Sequence, residues 1–312
     1  MSNTYPVIFD NGEGMRLHGI MHEPETVNRK PVAILLLSPG IKMRVAPHRL
    51  YNKMAARFVD MGYLVFRFDF HGLGDAEGDI NVEMLAELYG SIQIGRYVGD
   101  TRSAMRWVSE RYGIERFVLA GLCGGAITGL LTAKGDRRIA GLLGLGIPVI
   151  LDSAQTDKSR FLTDGQINSL QRLYIAKLLS PKAWLRLVTF QSDYRHIWRI
   201  VKRKLAPQRK TAPATQDKPS DNLDDNTNPL FAPAFFDMVE SGRKILFIFS
   251  GSDRLDWEFE EKFVRRNASR LKQNSTNYTV NVIPEANHIL SLTEWQQSML
   301  DQSADWLSRH FS

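Results

Sequence analysis

The chain has 312 residues, of which 43% are hydrophobic, and its formal net charge is +6. This length and composition allow a full buried core, which excludes a disordered chain and suits one large domain that carries an insertion. The single cysteine excludes an internal disulfide, and the apolar runs are too short or too glycine-broken to span a bilayer.

The first residues lack the basic and apolar regions of a signal peptide, so we expect a cytoplasmic protein. After them, the turn Asn11-Gly12-Glu13-Gly14 separates Val7-Ile8-Phe9 from residues 15–21, in which Leu17, Gly19 and Met21 stand at every second position. This pattern predicts two antiparallel edge strands at the start of the fold.

Strands and helices then alternate along the chain. The predicted elements are strands at 32–37, 63–68, 117–120 and 139–147 and helices at about 49–61 and 98–112. The strands are continuous apolar runs, which is typical of parallel strands that are buried on both faces. The alternation predicts a doubly wound, mostly parallel sheet of the α/β class.

A turn of small residues, Gly121-Leu122-Cys123-Gly124-Gly125, follows one of these strands and leads into an apolar helix pattern. A side chain at the apex of such a turn is pushed up from the sheet, and small neighbours are needed because strand and helix nearly touch. The N-terminus of the helix stabilises a thiolate at the apex. Cys123 is therefore a candidate nucleophile, although a small buried thiol without chemistry is the alternative.

This G-x-C-x-G turn resembles the G-x-S-x-G nucleophile elbow of the α/β-hydrolase superfamily, and more narrowly members with cysteine at the apex, such as the dienelactone hydrolases. The arginine- and histidine-rich residues 40–51 and the Gly-Leu-Cys-Gly-Gly elbow resemble exosortase-associated hydrolases, which are encoded with bacterial exopolysaccharide systems. The resemblance implies an α/β-hydrolase fold with antiparallel first strands, a helical cap inserted into the core, and cleavage of an ester or thioester.

The resemblance also implies roles for loops near the elbow. The segment after Ser38-Pro39-Gly40 corresponds to the oxyanion loop, so the backbone N–H groups of Ile41 and Gly124 would hold the oxyanion. Residues 69–74, Asp-Phe-His-Gly-Leu-Gly, resemble the D-x-H-G-x-G loop of the same superfamily. His71 in this loop precedes the nucleophile in the chain, whereas the superfamily places the catalytic histidine last, so we interpret it as structural or pocket-lining.

Arg44, Arg49 and His71 are the candidate substrate-binding residues. Either arginine could bind a carboxylate or a phosphate of the substrate at the mouth of the site. The alternative is that both arginines pair with local acids or cap the helix that follows.

The alternation of strands and helices stops after Pro148. From about residue 152 to 238 only helix-like patterns occur, and residues 207–229 are rich in proline and polar residues. We therefore predict a first core part over residues 1–150, a helical cap over 151–240 and a second core part over 241–312.

The positive charge of the chain is concentrated in the predicted cap, which has 14 basic and 5 acidic residues between Asp152 and Lys218. Residues 194–205 have the pattern of a basic amphipathic helix, with an apolar stripe formed by Ile197, Ile200, Val201 and Leu205. Such a helix contacts anionic membrane lipid or an anionic glycan, or it packs its stripe on the domain and leaves a solvated basic face.

The predicted sheet resumes at residues 244–250 and ends with a strand at 278–283. The resemblance implies that the catalytic acid follows the first of these strands, which selects Asp253. Asp256 is the alternative acid, although a capping role at the helix predicted over 257–271 fits Asp256 better.

His288 lies in a short loop between the last predicted strand and the final helix at 292–311. The chain order Cys123, Asp253, His288 is the order that the superfamily uses for its nucleophile, acid and base. These three residues form the predicted catalytic triad.

The triad predicts attack of the thiolate on an acyl carbonyl and an acyl-enzyme intermediate, which leaves both hydrolysis and acyl transfer open. The resemblance suggests a small-molecule, lipid-linked or glycan-linked acyl substrate. The alternative from another class is a non-catalytic binding or scaffold protein whose basic cap recruits an anionic partner. The sequence has no phosphate-binding glycine loop, dinucleotide motif or metal-ligand cluster, so we predict no cofactor, no metal and no nucleic-acid partner.

If the basic segment contacts a membrane surface, the protein will sediment with anionic vesicles at low salt. Replacement of Arg199, Lys202 and Arg203 by glutamate should remove sedimentation and leave ester hydrolysis unchanged. Attachment by charge alone should weaken as added salt shortens the Debye length from about 30 Å to about 10 Å, whereas apolar insertion should persist. Equal sedimentation of wild type and variant, or none by either, would contradict the membrane contact.

Overall fold

The computed structural model describes residues 3–25, 29–80, 85–151 and 226–312. The strands are β1 Asn3–Asp10, β2 Arg16–Glu23, β3 Val32–Leu37, β4 Leu64–Phe68, β5 Arg116–Leu122, β6 Ile139–Leu145, β7 Lys244–Ser250 and β8 Tyr278–Ile283. The α-helices are α1 Leu50–Asp60, α2 Leu85–Gln93, α3 Val98–Tyr112, α4 Gly124–Ala133, α5 Phe231–Glu240, α6 Arg254–Phe259, α7 Ala268–Gln273 and α8 Thr293–His310.

The described strands form one sheet in the order β1-β2-β4-β3-β5-β6-β7-β8. β2 is antiparallel to both β1 and β4, and the pairs from β4 to β8 are parallel. The antiparallel hairpin is confirmed, and Leu17, Gly19 and Met21 are buried on β2. Of the two hairpin strands, however, only β1 lies at an edge of the sheet, because β4 pairs with the other side of β2.

Helices cover both faces of the sheet. In β3 the even-numbered residues pack in one hydrophobic core and the odd-numbered residues in the other, as expected for a strand buried on both sides. α1 and α8 contribute to one core, and α2, α3, α4 and α5 contribute to the other. The doubly wound architecture predicted from the alternation is therefore confirmed.

The functional edge of this sheet follows from its strand order. β3 pairs with β4 on one side and with β5 on the other, so the chain reverses direction across the sheet between these strands. In open α/β sheets a crevice forms at such a reversal, outside the carboxyl ends of the strands. The elbow after β5 and the loop after β3 meet at this crevice.

The helix predicted over 257–271 differs in the structure. It begins earlier, with α6, and its middle is a π-helical turn at Glu260–Val264 followed by a 3₁₀ turn at Arg265–Asn267. A π turn adds a residue to the helical repeat and shifts the faces of the helix. Phe263 in this turn packs against α5, with its ring 4.9 Å from those of Phe231 and Phe235.

The predicted cap boundary at residue 240 is too late, because α5 belongs to the core. Its residues Phe231, Phe235 and Phe236 are fully buried, and residues 226–312 form one compact unit with the N-terminal part of the chain. The rest of the predicted cap, residues 152–225 with the basic amphipathic segment, lies outside the described residues. Within the described ranges, no helix is long and apolar enough to cross a membrane.

A glycine on β2 provides a test of packing between the hairpin and β4. A Cβ on Gly19 would lie 2.5 Å from Cε2 of Phe66, whose ring is itself packed 5.4 Å from Trp107. Gly19→Ala is expected to destabilise the protein by about 1–3 kcal/mol, since the ring has no room to withdraw. Gly99→Ala on α3, where a Cβ meets nothing within 4 Å, should instead stabilise it by up to about 1 kcal/mol. Urea unfolding midpoints of both variants would check this, and equal midpoints would contradict it.

Candidate active site

Cys123 lies between β5 and α4 in a strained backbone conformation, with φ 53° and ψ −112°. Such angles cost a residue with a side chain about 1–3 kcal/mol and persist only where neighbours enforce them. The N–H of Cys123 donates to the Leu145 carbonyl at 2.8 Å, and its carbonyl accepts from Ala126 and Ile127 at 3.0 and 3.2 Å. The neighbouring strand and the first turn of α4 thus hold the apex from both sides.

The glycines of the elbow allow the close backbone approach that the motif predicts. A Cβ on Gly121 would lie 2.7 Å from the Gly125 carbonyl oxygen, and a Cβ on Gly125 would lie 3.0 Å from the Ser38 carbonyl oxygen. A Cβ on Gly124 would lie 2.5 Å from Cα of Gly40, in the loop after β3. The last contact is not part of the sequence motif, and it brings the elbow against the predicted oxyanion loop.

The structure joins two residues of the predicted triad directly. Nδ1 of His288 lies 2.5 Å from Oδ2 of Asp253. Asp253 stands at the cap position before α6, but its side chain makes no capping hydrogen bond and is available to the imidazole. Asp256, the alternative acid, lies one turn further in α6, where burial, Glu260 and Asp253 raise its pKa.

Cys123 is near enough to the His288 imidazole to affect its pKa. Burial lowers the pKa of His288, but the hydrogen bonds and negative charges of Asp253 and Cys123 outweigh burial and raise it to about 10. An imidazole that is already protonated at neutral pH does not take a proton from a thiol. The sequence left general-base activation and a preformed ion pair open, and the raised pKa of His288 is the condition that a preformed pair requires.

Hydrogen bonds between the loops after β7 and β8 place the acid beside the imidazole. The N–H groups of Gly251 and Ser252 donate to the carbonyls of Ile283 and Ala286 at 2.9 and 3.0 Å. Gly146, which has a φ of 50°, also lies beside the imidazole, because a Cβ there would lie 3.4 Å from the His288 ring. Adjacent parallel strands therefore deliver both side chains to the same edge of the sheet.

Tyr51 on α1 is a buried residue of this site that the sequence analysis missed. Its hydroxyl donates to the Leu37 carbonyl at 2.7 Å and accepts from the N–H of Leu122 at 2.8 Å. The β3–β5 ladder ends at the pair Leu37 and Gly121, so the hydroxyl satisfies the first backbone groups beyond the point where the strands separate. The helical phase of α1 predicts burial of this position, but it gives no sign of the hydroxyl's partners.

The predicted oxyanion donors lie in the two segments that meet beside the nucleophile. Gly124 is the first residue of α4, where a backbone N–H has no carbonyl one turn earlier in the helix. Ile41 follows Gly40, whose backbone abuts Gly124. Their role as oxyanion donors stays a prediction, and the two chain segments that would supply them are in contact.

The predicted substrate-binding residues differ in their surroundings. The guanidinium of Arg44 forms ion pairs with Asp69 and Asp75, which is the local pairing that we considered as the alternative. His71 is mostly buried, and its Nδ1 lies 2.9 Å from Oδ2 of Asp100. Arg49 is exposed and has a φ of 57° at the cap position before α1. Substrate binding by these residues stays a prediction, and within the described residues no group of His, Cys, Asp and Glu could hold a metal ion.

The fold is shared with solved hydrolase structures. The esterase Pf2001 from Pyrococcus furiosus has a TM-score of 0.57 and 15% identity to this chain, over 99% of this chain and 94% of its own. The α/β-hydrolase GrgF from Penicillium sp. sh18 has a TM-score of 0.56 and 15% identity, over 99% of each chain. A structure from Xanthomonas campestris, described as an α/β serine hydrolase without lid, has a TM-score of 0.51 and 14% identity, over 97% and 95%.

At these identities the likeness shows the fold alone, and the chain has the α/β-hydrolase fold. The comparison with protein-family models gave no match, and neither did the comparison with curated protein sequences. Two of the similar structures are described as serine hydrolases or their homologues, whereas cysteine stands at the apex of the turn here.

The ion pair can be tested by alkylation. If the His288 imidazolium holds Cys123 as a thiolate, iodoacetamide should alkylate wild type rapidly at pH 6–7, below the pH at which an ordinary free thiol ionises, about 8.5. His288→Ala should slow alkylation at pH 6–7 and shift the reaction toward alkaline pH. His18→Ala removes an imidazole from β2, which two strands separate from β5, and should behave as wild type. The same pH profile in wild type and His288→Ala would contradict the ion pair.

Proposed function

We propose that this protein is a hydrolase that cleaves a carboxylic ester or thioester with Cys123 as nucleophile, His288 as acid and base, and Asp253 as the residue that orients the imidazole. The observation that carries the proposal is the hydrogen-bonded pair of Asp253 and His288 beside Cys123, which stands at the apex of a strained turn. The fold shared with an esterase and with serine hydrolases supports it.

Acylation starts from the ion pair. The Cys123 thiolate attacks the acyl carbon and forms the C–S bond, while the carbonyl electron pair moves onto oxygen. The backbone N–H groups of Ile41 and Gly124 hold this oxyanion. The tetrahedral adduct then collapses, the bond to the leaving group breaks, and His288 gives its proton to the departing alkoxide or thiolate.

Deacylation uses the changed charge of the site. The sulfur of the acyl-enzyme carries no negative charge, so one of the causes that raise the pKa of His288 is removed once the thioester has formed. The neutral imidazole, held by Asp253, accepts a proton from water as the water attacks the thioester carbon. Collapse of the second adduct releases the acid and restores the thiolate–imidazolium pair.

Acyl transfer to an alcohol is the second candidate, because a thioester intermediate reacts readily with nucleophiles other than water. The proposed substrate class, an acyl group on a small molecule, lipid or glycan of bacterial polysaccharide metabolism, rests on the resemblance of residues 40–51 and of the elbow. A binding protein with a degenerate site is disfavoured, since the acid and the imidazole are held in hydrogen-bonding geometry.

Replacement of the nucleophile tests the proposal. Cys123→Ala should lower turnover of p-nitrophenyl esters and short acyl thioesters by about a thousandfold or more, since the nucleophile acts as a unit with its base. Cys123→Ser should keep partial esterase activity, because the elbow geometry suits serine and His288 then acts as a base. Mass spectrometry of wild type with a slow substrate should detect an acyl adduct on Cys123. Wild-type rates in Cys123→Ala would exclude this nucleophile.

A further inference from the structure

A buried carboxylate, that of Asp69 after β4, binds the predicted oxyanion loop, residues 38–46, at Arg44. Its side chain is fully buried. Oδ1 accepts from the backbone N–H of Arg44 at 2.5 Å and lies 3.4 Å from the hydroxyl of Ser38. The same hydroxyl donates to the Phe68 carbonyl at 2.8 Å. The end of β4 therefore holds the loop at two points, Ser38 through the Phe68 carbonyl and Arg44 through the Asp69 carboxylate.

The loop after β4 is built around the same carboxylate. Oδ2 of Asp69 binds the Arg44 guanidinium and accepts from the N–H of Asp75 at 3.2 Å. A Cβ on Gly74, which has a φ of +57°, would lie 2.5 Å from Cγ of Asp69. The last position of the D-x-H-G-x-G motif is thus a glycine because the Asp69 carboxylate occupies the space that a side chain would need.

The residues between the two attachment points are those that face the nucleophile. Gly40 lies against the backbone of Gly124, and Ile41 follows it. One further turn bond, from the N–H of Lys42 to the Pro39 carbonyl at 3.0 Å, lies inside this segment. Ala46 has a φ of 59°, which its own side chain disfavours, so the contacts of the loop must impose its shape.

The Arg44 guanidinium balances the negative charge of the carboxylates beside the loop. A lone carboxylate close to the loop would repel the negative charge that develops on the substrate oxygen. Arg44 compensates Asp69 and Asp75 at once, with Nη1 on the first and Nη2 2.5 Å from the second. The planar guanidinium reaches both carboxylates, which a lysine ammonium does not do with the same geometry.

We propose that Asp69 and Arg44 are positioning residues for the oxyanion hole: together they fix residues 38–46 so that the Ile41 N–H is held ready for the oxyanion. This inference rests on the proposed function. It also assigns Arg44 a role inside the protein, where the sequence left a contact with substrate and pairing with local acids open.

Asp69→Asn tests the inference, with Glu77→Gln as matched control. Glu77 lies in the same loop after β4 and pairs with Arg16, but that ion pair is exposed. Three measurements distinguish a loss of loop positioning from damage to the nucleophile. They are kcat and KM with p-nitrophenyl acetate, the alkylation rate of Cys123 by iodoacetamide, and hydrogen exchange of the peptide over residues 38–46. Alkylation requires the thiolate but forms no oxyanion. Its rate therefore reports the reactivity of Cys123 independently of the oxyanion hole.

In Asp69→Asn, kcat should fall about 10- to 100-fold, somewhat less than the loss of a whole oxyanion donor, with KM within about threefold of wild type. Alkylation of Cys123 should stay at the wild-type rate, and hydrogen exchange over residues 38–46 should accelerate. Glu77→Gln should match wild type in all three measurements. If kcat or exchange of a folded Asp69→Asn equals wild type, or if alkylation falls in parallel with kcat, the positioning role is wrong.

Arg44→Lys and Arg44→Met serve if Asp69→Asn does not fold. The lysine variant should recover part of the kcat that the methionine variant loses, because it retains the charge but not the planar pair of donors. Equal kcat in both variants would overturn the electrostatic part of the proposal. If wild type hydrolyses none of the esters or thioesters tested, the proposed function fails, and hydrogen exchange alone then decides whether these two residues hold the loop.

Discussion

The strained backbone at Cys123 is the constraint on which the site depends. A side chain at positive φ is tolerated here because its N–H donates to a carbonyl of β6 and α4 starts directly after it. Glycines on both sides also let the strand and helix backbones touch. The sulfur consequently stands above the carboxyl edge of the sheet, where β7 and β8 deliver Asp253 and His288. Each partner needs only a short loop to reach it.

Two buried polar side chains, those of Tyr51 and Asp69, stabilise the backbone segments around this apex. The Tyr51 hydroxyl fills the gap where β3 and β5 separate, and the Asp69 carboxylate closes the loop that leaves β3. Neither side chain contacts the scissile bond in the mechanism proposed here. Both satisfy backbone groups that the opening of the crevice would otherwise leave unpaired, at a cost of about 1–3 kcal/mol each.

Much of this arrangement could be predicted from the sequence, because it is encoded locally. Continuous apolar runs predicted the bounds of β3 and β7, and the glycine spacing identified the elbow. Features that depend on distant packing could not be predicted. α2, which contains Gly90, was not predicted, because its contacts with α4 place it. α5 was assigned to the cap, because only the structure shows that its aromatic side chains pack in the core. The hydrogen-bond partners of Tyr51 and Asp69 were not predicted because they come from other elements.

The contact between Gly40 and Gly124 has a consequence for how this site can evolve. A methyl group at Gly124 would displace the backbone of Gly40, whereas at Gly40 itself the φ of +60° is what disfavours a side chain. A substitution at Gly124 therefore requires a shift of the loop at Gly40, so its effect depends on what that loop can accommodate. A change of nucleophile chemistry at position 123 leaves this contact untouched. The chemistry at the apex can accordingly diverge between serine and cysteine, whereas the two backbones beside it must change together.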